Sequence, residues 1–248
     1  MIGLSVFLML TMPERRFRST PHPQRVPLQT MAATLRESVT IIRASRVILI
    51  LLLVSLVAGA FSEGYDRLWE AHMLAHVAFP LGSLLPVVIW FGAITVAMKL
   101  VNLLATEAIL RRFDLDDVNS LSRILQRTTI GVVAGVVVFG ISSNFAVAVG
   151  ALLVVELLRN LQAPLNETWL NKSVPARIRA TILSMNSQVD SLGQVVGGPI
   201  IGAVGMFASL RTAMLVNALL FLPALILYRR ATTHALTHVN EQPSPEML

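Results

Sequence analysis

The sequence contains no cysteine in 248 residues. Thiol catalysis, disulfide bonding and cysteine-based zinc sites are therefore excluded. Charge is also scarce: 14% of the residues are Asp, Glu, Lys or Arg, against about 25% in an ordinary soluble domain. Motifs of nucleotide and hydrolytic chemistry are missing. There is no P-loop, no dinucleotide-binding glycine motif, no zincin motif and no nucleophile elbow. GVVAGVVVFG, residues 131–140, is a helix-packing pattern rather than a phosphate cradle. His72 and His76 have the i,i+4 spacing of a helical metal pair, but no third ligand stands at motif spacing, so no metal site is assigned.

Apolar residues, by contrast, make up 54% of the chain, and mean hydropathy is +0.69. One small soluble core cannot hide that much apolar surface. The composition predicts an all-α, polytopic membrane protein, because backbone groups in lipid must bond within their own segment. No strand alternation of the barrel type is present. Cytosolic enzyme folds, nucleic-acid readers and secreted disulfide scaffolds are set aside. A formal net charge of +6 and a pI near 10.9 would point to nucleic acid in a soluble protein. In a membrane protein they read as anchoring at the cytoplasmic surface.

A hydrocarbon core of ~30 Å takes about 20 helical residues. Six stretches are predicted to cross it, beginning near 46–69, 81–112, 121–141, 145–165, 178–207 and 211–228. Residues 1–12 form a shorter apolar segment without the basic start or cleavage site of a signal peptide. They are read as the end of a helix that begins upstream, with a short interfacial start as the alternative. Residues 13–45 are read as a cytoplasmic loop rich in proline and arginine that carries an amphipathic helix. Residues 46–231 form the six-helix domain and 232–248 a cytoplasmic tail.

Connector charge supports that count. Seventeen of the 20 basic residues fall on one side: seven from Arg15 to Arg46, then Arg111, Arg112, Arg123, Arg127, Arg159, Lys172, Arg177, Arg179, Arg229 and Arg230. The other side holds Arg67 and Arg211, and Lys99 lies within a span. This asymmetry places both termini in the cytoplasm, which requires an even number of crossings. The connectors on the other side, 70–80, 142–144 and 208–209, are too short to hold an external catalytic domain.

Charged and amide side chains inside the spans must face protein or water. Glu63 and Arg67 are spaced to pair, which leaves Asp66 available. This group is either a substrate or proton site in the outer half of its helix or an ion pair closing the outer mouth. Tyr65 and Trp69 beside it either pack on an organic solute or sit at the interface. Lys99, near Asn102 and Glu107, needs a partner, with Asp190 or Glu156 available. Glu156, Arg159 and Asn160 form a candidate cytoplasmic gate network. Asn186, Asp190 and Gln194 recur every four residues and make a polar stripe flanked by Ser184, Ser187 and Ser191. Gly193, Gly197, Gly198 and Gly202 lie beside it as close-packing positions. Asp190 is the first choice for a carboxylate that exchanges a proton. Asn186, Gln188 and Gln194 are candidates to hydrogen-bond solute or neighbouring helices.

Two segments carry a family resemblance. FSEGYDRLWEAHML, residues 61–74, and NETWLNKSVPARIRATILSMNSQVDSLGQVVGGPIIG, residues 166–202, resemble the seventh helix and the tenth and eleventh helices of a bacterial drug-efflux-like branch of the major facilitator superfamily. Six spans behind a basic loop and a helix end match the C-terminal half of such a transporter over essentially the whole chain. The connector ILRRFDLDDVNSLSRILQR, residues 109–127, departs from the Gly-rich, Asp-Arg-containing loop common at that place.

The resemblance implies a secondary active carrier in the cytoplasmic membrane, performing proton-coupled efflux of a small organic solute by alternating access. Its substrate site would lie between two six-helix halves, so an N-terminal half or a partner chain supplying it is implied. The other implied partners are the lipid bilayer, a small-molecule substrate and protons. Neither a cofactor nor a catalytic residue is implied, and the chain is not read as an enzyme. A folded membrane scaffold or truncated remnant that carries nothing is the alternative.

Overall fold

The structure is a computed structural model that describes residues 28–80, 86–110 and 117–240, with side chains for 36–103 and 117–235 within those ranges. The helix end expected at 1–12 lies outside the described residues, as do 13–27 of the loop and the side chains of Glu107, Arg111 and Arg112. Contacts divide the chain into two units, Met1–Glu37 and Ser38–Leu248, and the bundle below belongs to the second.

Among the described residues every extended element is helical. The helices are α1 (Leu28–Ala44), α2 (Arg46–His76), α3 (Val87–Leu110), α4 (Val118–Ile141), α5 (Phe145–Ser173), α6 (Arg179–Phe207), α7 (Leu210–Phe221) and α8 (Pro223–Asn240). Five runs are long and apolar enough to cross a membrane: Arg46–His76, Val118–Ile141, Phe145–Ser173, Ala176–Phe207 and Leu210–Ala235. The run at the expected second crossing, Val87–Leu103, is shorter. The described residues thus form an all-α, multi-pass membrane bundle.

Local chemistry explains the helix ends. Ser45 caps α2, its side chain accepting from the Ile48 amide at 3.4 Å. Helix α2 then runs for 31 residues, ~46 Å at the usual rise. It continues beyond the expected 46–69 because 70–76 holds no Gly or Pro and because His72 and Met73 are buried. The connector expected at 70–80 is correspondingly short. Asn144 caps α5 through the Val147 amide at 3.2 Å. The last crossing is expected as one helix at 211–228 but is interrupted at Leu222. Pro223 has no amide hydrogen to donate. The turn around it tightens instead to bonds from Leu222 N to Leu219 O and from Leu225 N to Leu222 O, at 3.1 and 3.0 Å.

Asp117 caps α4. Its carboxylate accepts from the Asn119 and Ser120 amides, both at 3.0 Å, and from the Ser120 hydroxyl at 2.9 Å. These donors, the Asn119 amide first, hold its carboxyl below the usual carboxylate range. A depressed folded value means the cap adds stability above the ordinary Asp value, about 3.9. That stability is lost as pH falls through the folded value. Hydrogen exchange at 117–123 should accordingly rise relative to the rest of the bundle as pH is taken from about 5 to about 2. Asp117→Asn, which still caps, should flatten that dependence. An unchanged acid response in the variant would assign it to other groups.

Helix α2 is the centre of the bundle and packs against α6, α7 and α8, while α4 packs against α5, α7 and α8. Phe61 of α2 stacks on Phe221 of α7 with centroids 4.5 Å apart, and Tyr65 meets Phe139 of α4 edge-on at 6.4 Å. The α2–α6 crossing is the tightest, because glycines let the backbones meet. A Cβ on Gly193 would strike the Leu56 carbonyl, one on Gly197 would strike the Ala60 backbone, and one on Gly59 would strike the Asp190 carbonyl. Of the four glycines expected to pack closely, only these two of α6 meet backbone. Gly198 faces the Glu63 side chain, and Gly202 has open space.

Three connectors gather at one end. The Ala78 amide donates to the Ser143 carbonyl at 3.4 Å, and Arg211 Nη2 donates to Ser143 Oγ at 2.7 Å. These are the connectors read from the sequence as sharing one side of the membrane.

Candidate functional site

Helices α5 and α6 touch at few points, and each leans on other helices. The gap between them, floored by α2, is a cavity of about 490 Å³. Helical spacing decides who lines it. Ser55, Ser62 and Asp66 project from one face of α2, and Glu156, Arg159, Asn160 and Asn166 from one face of α5. From α6 come Asn186, Ser187, Asp190 and Ser191. Asp66, Asn160 and Ser187 are exposed, so the cavity is open along one side.

Arg159 organises the α2 wall. Its Nη1 and Nη2 donate to Asp66 Oδ1 and Oδ2 at 2.6 and 2.9 Å, a bidentate pair in the strong geometry for guanidinium and carboxylate. Glu156 Oε2 lies 3.7 Å from the same Nη1. The guanidinium also sits over the rings of Tyr65 and Phe61, 5.0 and 5.8 Å from their centroids, within cation–π range. Two sequence expectations are corrected here. Asp66 is not left available after Glu63 and Arg67 pair: that pair forms, and Asp66 takes Arg159. Arg159 lies in α5, inside the span expected at 145–165, and bonds to α2. The clusters read separately, as an outer mouth and a cytoplasmic gate, are joined there through Asp66 and Arg159.

The α6 wall matches the expected stripe. Asn186 Oδ1 accepts from Ser55 Oγ at 2.6 Å, tying α6 to α2. Asp190 Oδ2 accepts from Gln194 Nε2 at 2.8 Å, and among the described residues no cation pairs with Asp190. Gln194 orients that carboxylate and does not itself line the cavity. Asn160 donates from Nδ2 to the Glu156 carbonyl at 2.7 Å.

Other expectations fall elsewhere. Lys99 is exposed on α3 and pairs with neither Asp190 nor Glu156: the first is bonded to Gln194, the second lies beside Arg159. Tyr65 is buried at 1% exposure beneath Arg159 and is closed to a solute. Trp69 packs edge-on against Phe91 of α3 at 5.6 Å. His72 and His76 stack with ring centroids 4.8 Å apart, His72 Nε2 lying 3.3 Å from the Phe139 carbonyl. No group of three His, Asp or Glu positioned for a metal occurs among the described residues.

Several lining residues were not singled out from the sequence: Ser55, Ser62, Phe61, Phe221, Asn166 and Glu167. Ser55, Ser62 and Asp66, at i, i+7 and i+11, share a helical face, and that periodicity was available. Nothing local marked Phe221, which enters from a helix about 160 residues after Phe61.

Fold and site together define a multi-pass membrane bundle with a hydrophilic cleft between its helices. Comparison of the chain with protein-family models, with curated proteins and with solved structures gives no match.

Proposed function

We propose that this chain forms one six-helix half of a major-facilitator-type secondary transporter. In this reading it performs proton-coupled efflux of a small organic solute across the cytoplasmic membrane by alternating access. The observation that carries the reading is the cleft. It is a polar cavity of about 490 Å³, the size of a small-molecule site, held inside a bundle that exposes many large aliphatic side chains. Polar groups at bilayer depth line water or protein rather than lipid, so its open side calls for a facing wall. A second six-helix unit supplies that wall in the proposal.

Two further observations support it. The resembling segments 61–74 and 166–202 lie on α2, α5 and α6, the helices that form the cleft. The packing also echoes a three-plus-three repeat. Exchanging α2, α3 and α4 for α5, α6 and α7 carries the α2–α6 contact onto α5–α3, and the α4–α5 contact onto α7–α2. All four contacts are present, although α6–α7 has no counterpart of similar extent between α3 and α4 among the described residues. In this scheme α3 is the sixth crossing, both termini are cytoplasmic, and Asp190 carries the exchangeable proton.

The absence of cysteine makes a clean test. Single cysteines at Ser187 and Asn160 should react with a membrane-impermeant maleimide in sealed vesicles, whereas one at Val154, exposed among aliphatic residues, should not. Unreactive cleft positions would favour the scaffold reading and sink the carrier.

A further inference from the structure

We propose that the groove between α4 and α8 is a binding site for an anionic phospholipid, whose phosphate is held between Arg127 and Arg229. The two helices meet where the Thr232 hydroxyl donates to the Ser122 hydroxyl. They run in opposite directions. The connector after α4 touches the start of α7 through Ser143 and Arg211, and α7 and α8 form one crossing that leads away from that end. Arg127 lies five residues past Ser122, and Arg229 lies three residues before Thr232. At ~1.5 Å per residue, the two positions fall within about 3 Å of the same level. Direction follows from the same arithmetic. Each residue turns a helix by ~100°, so Arg127 and Ile130 stand about 140° and about 80° on from Ser122. Arg229 and Ile226 stand about 60° and about 120° on from Thr232 in the same sense. In an antiparallel pair of right-handed helices, equal turns from the contact line point to one side of both. The exposures agree: Arg127 and Arg229 are exposed, as are Ile130 at 55% and Ile226 at 58%. The exposed aliphatic faces continue to Val138 on α4 and to Leu222 at the start of α8.

Charge decides the occupant. Among the described residues, neither Arg127 nor Arg229 has a partner for its guanidinium. Arg123, one turn nearer the start of α4, is engaged by the Asn119 carbonyl and the Ser120 hydroxyl, both at 3.2 Å, and by Asp117 at 3.9 Å. Two guanidiniums at one level repel each other unless an anion stands between them. One turn farther in, the surface is aliphatic, and a charge facing hydrocarbon is costly unless it reaches the headgroup region. A phospholipid meets both demands, with its phosphate between the arginines and its chains along Ile130 and Ile226. Phosphatidylcholine brings a trimethylammonium group that the arginines repel, whereas phosphatidylglycerol brings none. Basic pockets between helices at the bilayer margin favour anionic headgroups for this reason.

Fluorescence quenching reads the lipid beside the groove. The chain has no cysteine, so bimane is attached at Ile226→Cys on one wall or at Ile130→Cys on the other. The full chain is placed in phosphatidylcholine nanodiscs holding a small, fixed fraction of brominated-chain lipid, either phosphatidylglycerol or phosphatidylcholine. Phosphatidylglycerol should be preferred about fivefold or more at both groove positions, the scale of one basic residue's attraction to an anionic headgroup. At Val138→Cys, the far end of the α4 stripe, the two lipids should quench alike. Arg127→Gln with Arg229→Gln should abolish the preference, and either substitution alone should lower it at least about twofold. Arg177→Gln with Arg179→Gln is the control. It removes the same charge from exposed arginines beside the start of α6, a helix that packs on α2 and α7 instead, and should leave the preference in place. Unchanged quenching at Val138→Cys by brominated phosphatidylcholine shows that each variant is inserted. No preference at either groove position, or a preference unmoved by the Arg127 and Arg229 substitutions, would overturn the site. An equal fall with the control pair would also overturn it, by assigning the attraction to diffuse surface charge.

Discussion

Arg159→Met is expected to destabilise the bundle by about 2–3 kcal/mol, somewhat below the roughly 3–5 kcal/mol for removing one partner of a fully buried ion pair. Arg159 has 18% side-chain exposure and Asp66 54%, so Asp66 can turn toward water in the cleft once its partner is gone. Glu156 cannot do so as readily, because its side chain is 19% exposed. The Glu156 carboxylate would then be left without the guanidinium beside it. Methionine keeps the contact with Tyr65 and Phe61, so the loss reports charge rather than volume.

The reverse substitution should be milder. In Asp66→Asn the amide oxygen still accepts one bond, and Glu156 stands 3.7 Å from Nη1, ready to take the guanidinium. A cost of about 1 kcal/mol is expected. Reversible unfolding in mixed micelles measures both, and a double-mutant cycle isolates the coupling. Equal losses in the two variants would contradict the shared position of Arg159 between two acids.

The second large effect lies at the α2–α6 crossing. Gly193→Val and Gly197→Val are each expected to cost about 3 kcal/mol or more, the upper range for overpacking. The atoms in the way at both positions belong to the α2 backbone and cannot move aside like a flexible side chain. The helices must separate, and the Ser55–Asn186 bond at 2.6 Å goes with the contact. Gly92 and Gly150 are internal controls, since a Cβ on either meets nothing within 4 Å. Replacing them by alanine should be neutral or gain up to about 1 kcal/mol of helix propensity. At Gly198 only the Glu63 side chain would need to shift, so Gly198→Ala should fall between. The ordering, read by the same unfolding assay, is the result that matters. A chain indifferent to valine at Gly193 and Gly197 would not hold α2 and α6 in this crossing.

Much of the site could be read along the chain because its spacing is helical. Asn186, Asp190 and Gln194 declare a polar face by recurring every four residues, and Glu63 and Arg67 declare a pair by the same interval. Partnerships between helices carried no such mark. Asp66 looked unoccupied because Arg159 is 93 residues away. Arg159 in turn was grouped with Glu156 and Asn160 of its own helix, because only those neighbours are visible in helical spacing. In the structure Gln162 turns to α4, donating to the Thr129 hydroxyl at 2.9 Å. The single crossing formed by α7 and α8 was read from its apolar run, whereas its interruption at Pro223 was not.

What the sequence by itself determined is the set of rods: where apolar runs begin, which serine, aspartate or asparagine caps them, and which faces are wet. Those choices are local, because in lipid each backbone amide and carbonyl must find its partner within one helix. What only the tertiary structure decided is which rods touch and which charges meet. Glycines at 193 and 197 permit a close crossing without naming the helix that enters it, and a carboxylate accepts whichever guanidinium comes within reach. Those outcomes follow from distance in space, which packing of the whole bundle sets.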